Sequence, residues 1–151
     1  MTTDAVMKAR SALSALNKAR NYLPKRLLKL AYEAMVRSHL EYSSGVFAGL
    51  AETHSKKLET VQKIAARIIS NAPRDAHAAP IIEALGLQSL HDRRKKHLLK
   101  LTNDILSCDT HPGLYDLMEL NEKNEIEVSN ARTRIGNRRF TITAAKVFNE
   151  P

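Results

Sequence analysis

The side chains in this sequence that could do chemistry are mostly cations set at helical spacing. Lys25, Arg26, Lys29 and Arg37 fall in one apolar-periodic stretch, Lys56, Lys63 and Arg67 in a second, and Arg93, Lys96 and Lys100 in a third. At about 100° per residue each group gathers on the side of a helix away from its leucines, an arrangement suited to meeting successive phosphates. Some acids oppose them. Glu33 lies four residues from both Lys29 and Arg37, and Glu59 four from Lys63. Such pairs contribute only about 0.2–0.5 kcal/mol each, too little to explain the rows, so each row is expected to stay net positive.

Other chemistries find little support. Cys108 and His111 have a two-residue gap, but no second ligand pair follows at finger-like spacing. His91 and His97 share a helix face poorly and read as solvated. Cys108 has no activating context, no serine sits in a nucleophile elbow, and the five glycines form no phosphate loop. No pair of carboxylates is singled out by spacing for acid–base or two-metal work. The expectation is a non-enzyme without cofactor, metal or catalytic residue.

The elements that must hold these cations are helices. The chain has 151 residues, 43% of them apolar, with four Tyr, three Phe and no Trp. That mix favours packed helices over a sandwich or barrel. Thr3 or Asp4 can cap a first helix with Val6, Ala9, Leu13 and Leu16 on its apolar face; Lys8 and Lys18 point away from it, and Arg20 lies along it near the end, placed to snorkel or cap carbonyls. Pro24 opens a second helix running to about Leu40 or Tyr42, with Leu27, Leu30, Ala31, Ala34 and Met35 as its apolar arc. Thr53 or Ser55 caps a third, carrying Leu58, Val61, Ala65 and Ile68. Pro80 opens a short helix closed by Gly86, Ser89 caps another running to about Ser107, and His111–Leu120 forms a last short one. Arg94 shares a side with Leu98, Leu101 and Ile105, so it reads as structural, because a buried cation must find a partner. Residues 121–139 read as extended and partly ordered, and Phe140–Thr143 as a short strand running into a helical turn. The reading is all-α: a small bundle of about five to six helices with an extended C-terminal tail, divided into 1–71, 72–120 and 121–151.

Charge is uneven along this framework. The chain holds 24 Lys+Arg against 16 Asp+Glu, a net of +8. Residues 1–40 carry eight basic and two acidic groups, while residues 111–151 balance at six and six. A basic N-terminal third points to a polyanionic partner, with a merely soluble cationic surface as the plainer alternative. A single cysteine excludes an internal disulfide, and no apolar run approaches a membrane span, so an intracellular protein, cytoplasmic or nuclear, with no membrane partner is expected.

Four stretches, in order, resemble the region after the polymerase palm in LINE-like (non-LTR, jockey-type) retrotransposon reverse transcriptases. They are ALNKARNYLPKRLLKLAYEAMVRSHLEYSSGVFAGL (Ala15–Leu50), KLETVQKIAARIISN (Lys57–Asn71), IEALGLQSLHDRRKKHLLKL (Ile82–Leu101) and RTRIGNRRFTITAAKVFNEP (Arg132–Pro151). Phe47 and Phe148 stand where that family usually has Trp, Glu150–Pro151 lacks the expected leucine, and no Tyr/Phe-Ala-Asp-Asp is present. The resemblance implies that residues 1–71 are a thumb-like three-helix unit and the rest a truncated C-terminal part of an RNA-directed DNA polymerase. It implies a non-catalytic fragment gripping template–primer duplex or RNA/DNA hybrid through phosphates, without reading sequence, and the missing palm as a second partner. Lys25, Arg26, Lys29, Lys56, Lys63 and Arg67 would be the leading contacts, with Arg37, Arg93, Lys96 and Lys100 beside them; Tyr42, Gln62 and Arg94 would be framework. The alternatives are a helical protein-interaction module and a decayed retroelement remnant without a role.

Overall fold

The computed structural model describes residues 2–42, 49, 51–107, 112–118, 120–128, 131–133 and 135–150. It is all-α. The helices are α1 (Thr2–Ala19), α2 (Lys25–Ala31), α3 (Ser38–Glu41), α4 (Glu52–Ile69), α5 (Ala78–Ala84), α6 (Leu90–Ser107), α7 (Pro112–Tyr115) and α8 (Phe140–Phe148). A π-helical segment, Tyr32–Arg37, joins α2 to α3, and a 3₁₀ turn, Gly136–Arg138, precedes α8. Among the described residues there is no sheet, only an isolated antiparallel bridge between Leu120 and Ile126. The chain divides into two compact units, one of Met1–Tyr42 with Ala51–Leu90 and one of Ser43–Leu50 with His91–Pro151.

In the first unit, α1 packs against α4, the π segment and α3. Its Val6, Ala9, Leu13 and Leu16 are buried, as their three- and four-residue spacing requires. On α4 the buried row is Leu58, Val61, Ala65 and Ile68, joined by Gln62, Ala66 and Ile69. α4 begins at Glu52, with Ala51 at the cap and no side chain closing it, ahead of the threonine and serine expected there.

The second helical stretch departs from its sequence reading. Leu28, Tyr32, Val36 and Leu40 are the buried positions, whereas Leu27, Leu30 and Met35 are 45%, 61% and 50% exposed. The buried residues recur every fourth position. A pure α-helix turns too far per step to keep such a row straight, and the wider turn of the π segment takes up the drift. Leu27, Leu30 and Met35 therefore face solvent, and of the cations placed opposite them Lys29 and Arg37 turn toward protein while Lys25 and Arg26 stay exposed.

Two helix ends fix the loops that matter below. Leu87 N–H donates to Ile82 O (3.0 Å) and Gly86 N–H to Glu83 O (2.9 Å), with Gly86 at φ +61°, so α5 closes in a Schellman motif. α5 starts at Ala78, so Pro80 lies inside its first turn instead of opening it. α4 ends in the same way: Ala72 N–H donates to Arg67 O (2.9 Å) and Asn71 N–H to Ile68 O (3.2 Å), with Asn71 at φ +51°. Gln62 is buried and its Nε2 donates to Gln88 O at 2.8 Å, tying α4 to the segment after α5.

The second unit is built around Leu98 and Ile105 of α6, with Met118, Ile126, Ala144 and Ala145. Arg94, 6% exposed on the same helix, is a framework residue, as its position among the leucines implies. Phe140–Thr143, expected as a strand, is the first turn of α8. Ile142, Ala144 and Ala145 are buried, Val147 and Phe148 pack on the same cluster, and the Thr143 hydroxyl donates to Arg139 O (3.0 Å) within the helix. Helical burial outweighs the β-propensity of a Phe-Thr-Ile-Thr run. Asn149 holds residue 126 against the end of α8, accepting from Ile126 N–H (3.0 Å) and donating to Ile126 O (2.9 Å). The expected helix His111–Leu120 is represented by α7; His111 lies outside the described residues.

Two substitutions test this reading. Gly86→Ala places a Cβ at 3.9 Å from the Lys29 ammonium, so space is not limiting and the cost is the left-handed backbone, about 1–2 kcal/mol by urea denaturation. Ile105→Ala empties a fully buried position and should cost about 2–5 kcal/mol in the same measurement.

Candidate functional site: an arginine-lined groove

The cations singled out by spacing divide into two sets. Lys29 donates to Leu85 O at 2.6 Å, beside the Schellman turn, and is a structural tie. Arg37 is held between Glu33 (3.0 Å) and Glu41 (3.8 Å). Lys56 is paired with Glu52 at 2.7 Å on the surface of α4. Arg93 is half-buried and engaged within the protein. These four do not present open charge: Lys29 is tied to a carbonyl, Arg37 and Lys56 each have a carboxylate one turn away, and Arg93 is engaged within the protein. Lys25, Arg26 and Lys63 in the first unit, and Lys96 and Lys100 in the second, are exposed and form no hydrogen bond or ion pair among the described residues. Tyr42, expected as a packing residue, is 72% exposed.

Arg67 belongs to a different arrangement. With Arg10, Arg20 and Arg74 it lines a groove of about 530 Å³ in the first unit. One wall is a ridge of α1 and the residue after it: Arg10, Leu13, Ser14, Asn17 and Arg20, steps of three and four that share a helix face. The other wall is the last turns of α4, with Ile64, Arg67 and Ile68, followed by Ala72 and Arg74. The Schellman turn at Asn71 brings Ala72 back to the helix end, and Arg67 then pins the following loop by donating from Nε to Ala76 O at 2.8 Å. That bond uses one face of the guanidinium and places the segment carrying Arg74 beside the groove.

The electrostatics are one-sided. None of the groove's lining residues is acidic. Arg10, Arg20 and Arg74 are exposed and have no ion-pair or hydrogen-bond partner among the described residues. Asp75, adjacent in sequence to Arg74, is exposed and is not paired with it. Four like charges around one cavity repel, and an entering anion turns that repulsion into attraction, with guanidinium forks matched to phosphate oxygens. Between the cations lies an aliphatic floor of Leu13 and Ile68, both nearly buried, and Ile64, 37% exposed.

Three of these four arginines were not picked out by helical spacing. Helical spacing sets Arg20 along the apolar face near the helix end; its side chain is exposed, donates to no carbonyl among the described residues, and lines the groove. Arg74 lies in a loop where helical periodicity says nothing. A usable signal was nonetheless present, since residues 5–32 hold seven Lys/Arg and no Asp/Glu. The first unit as a whole carries thirteen Lys/Arg against seven Asp/Glu, a net of +6.

Among the described residues no group of three or more His, Cys, Asp or Glu is placed to hold a metal ion, and no helix is long and apolar enough to cross a membrane. Cys108 lies outside the described residues, as does its pairing with His111. No protein-family model, curated protein or solved structure matches the chain.

The Glu52–Lys56 pair offers a local check on the charge map. The Lys56 ammonium, by hydrogen bond and charge, holds the Glu52 carboxyl below its ordinary value of 4.5. A carboxyl depressed on folding stabilises the protein above its unfolded pKa and loses that contribution as pH falls through the native value. In Lys56→Ala the Glu52 carboxyl should titrate at higher pH than in the parent by carbon-detected NMR, while the fold is unchanged.

Proposed function

We propose that the first unit binds the phosphate backbone of nucleic acid without reading sequence, as a non-catalytic module. The observation that carries this reading is the groove: four arginines on two walls, no carboxylate among them, in a unit of net +6. Lys25, Arg26 and Lys63 are exposed cations of the same unit and extend its positive surface. Backbone contact needs spaced cations on rigid elements and no particular base-reading geometry, which fits a unit whose groove lacks any aromatic lining. A thumb segment of a non-LTR reverse transcriptase, the family that four sequence stretches resemble, would use such a surface within a larger RNA-directed DNA polymerase.

Counterion release supplies the test. Labelled oligonucleotides titrated by anisotropy should bind with affinity that falls steeply between about 50 and 200 mM salt and is indifferent to base sequence. Binding independent of salt would overturn the reading. In the absence of ligand, added salt should raise the melting temperature by screening the clustered arginines, and Arg10→Gln/Arg20→Gln/Arg74→Gln should blunt that rise.

A second reading rests on the exposed apolar face. Leu27, Leu30 and Met35 form an exposed stripe on one helical stretch, and Leu23, 38% exposed, precedes it in the turn before α2. A stripe of this kind is the surface a neighbouring folded domain covers, and a palm would be such a neighbour. Concentration-dependent self-association of the chain, abolished by Leu27→Glu/Leu30→Glu and without nucleic-acid binding, would favour this reading over the first.

A further inference from the structure

We propose that the groove between α1 and α4 takes one unpaired nucleic-acid strand, not the duplex that the sequence resemblance implies. The inference rests on the backbone-binding reading and narrows it. Its basis is the mixed lining. Arg10 and Arg20, from α1 and the residue after it, and Arg67 and Arg74, from α4 and the loop after it, line the groove together with the aliphatic Leu13, Ile64 and Ile68.

A duplex shows a protein mainly phosphates and sugar edges, since its base faces are stacked inside. Such a ligand satisfies the guanidiniums and leaves the exposed part of the aliphatic lining, mostly Ile64, wet. An unpaired strand carries free base and sugar faces alternating with its phosphates, so it can cover the floor while its charges reach both walls. Ser14 and Asn17, between Arg10 and Arg20 on the same ridge, add neutral polar groups able to bond sugar or phosphate oxygens.

Length agrees with a strand more than with a lone phosphate. Arg10 and Arg20 are ten residues apart, which on a helix is about 15 Å along the axis. No single phosphate group spans that distance, whereas a short run of backbone does. The cavity, at about 530 Å³, holds one or a few nucleotide units and not a helix of two strands. Aliphatic contacts do not discriminate among bases, so sequence indifference is retained.

The experiment is an anisotropy titration of the full chain against labelled oligothymidylate and against a labelled hairpin duplex of equal charge, over a range of potassium chloride. The single strand is expected to bind at least tenfold tighter. With up to four phosphates neutralised at about 0.7 each, its log–log salt slope should be about −3, and Arg20→Gln or Arg74→Gln should each make it shallower by about 0.7. Lys123→Gln, an equal loss of charge on the second unit, should leave affinity for the strand unchanged. Far-ultraviolet circular dichroism of each variant establishes that it is folded. Tighter binding of the duplex would overturn the single-strand inference while the backbone-binding reading stands. Strand binding unaffected by both arginine variants would overturn the inference by moving the site elsewhere. Binding of neither ligand would overturn both.

Discussion

The apolar ridge of α1 is the contact on which the first unit depends. Val6, Ala9, Leu13 and Leu16 meet α4, the π segment and α3, so one helix holds the others in register. Burying aliphatic side chains at such a seam contributes about 25 cal/mol per Å² of apolar surface removed from water. That seam also makes the groove. Where α1 and α4 run together, Leu13 and Ile68 close the interior. The next residues outward on each helix are arginines and polar groups, which have no carboxylate to turn to. The cavity is thus the outer margin of a packed helix–helix contact, and its charge follows from what the sequence places one step off the buried row.

The π segment has a comparable influence within the same unit. By straightening the row Leu28–Tyr32–Val36–Leu40, it swings Lys29 toward the carbonyl of Leu85, and Arg37 lies between two glutamates. Both cations become parts of the scaffold. Lys29 adds a donor to a carbonyl beside the Schellman turn of α5, and the Arg37 pairs brace consecutive turns. The cost is an apolar stripe left in water at Leu27, Leu30 and Met35. A fold that spends its every-fourth row on the core must expose whatever lies a quarter-turn away, and in this sequence that is leucine and methionine.

These two features mark what could be read from the sequence. The apolar faces of α1 and α4 follow the ordinary helical period and were legible residue by residue, as was the framework role of Arg94 among the leucines of α6. The all-α class followed from composition and from the same periodicity. The face of the second helix was not legible, because the 3.6-residue arc Leu27–Met35 and the four-residue row Leu28–Leu40 are both apolar. Only the tertiary partner chooses between them. The first turn of the C-terminal helix reads as strand for a related reason: Phe-Thr-Ile-Thr has strand propensity, and the cluster of Leu98, Ile105 and Met118 that draws it into a helix is remote in sequence. Arg74 could not be placed at all without knowing that Asn71 takes a left-handed conformation and folds the loop back along α4.

A helical row of cations is therefore a weaker indicator of a binding surface than a place where acids are missing. Lys56 and Arg37 belong to regular rows, yet each has a glutamate one turn away that pairs with it. Arg10, Arg20 and Arg74 belong to no row. They converge because a helix, a helix end and a loop meet there, and they remain available because residues 5–32 hold no acid, none of the groove's lining residues is acidic, and Asp75 is exposed and unpaired among the described residues. Clustering like charges without compensation works against the stability of the free protein, which packing elsewhere in the unit has to offset. A ligand bearing several negative charges removes that opposition on binding, so the same arrangement that weakens the empty unit strengthens the occupied one, and does so in proportion to the number of phosphates that reach the walls.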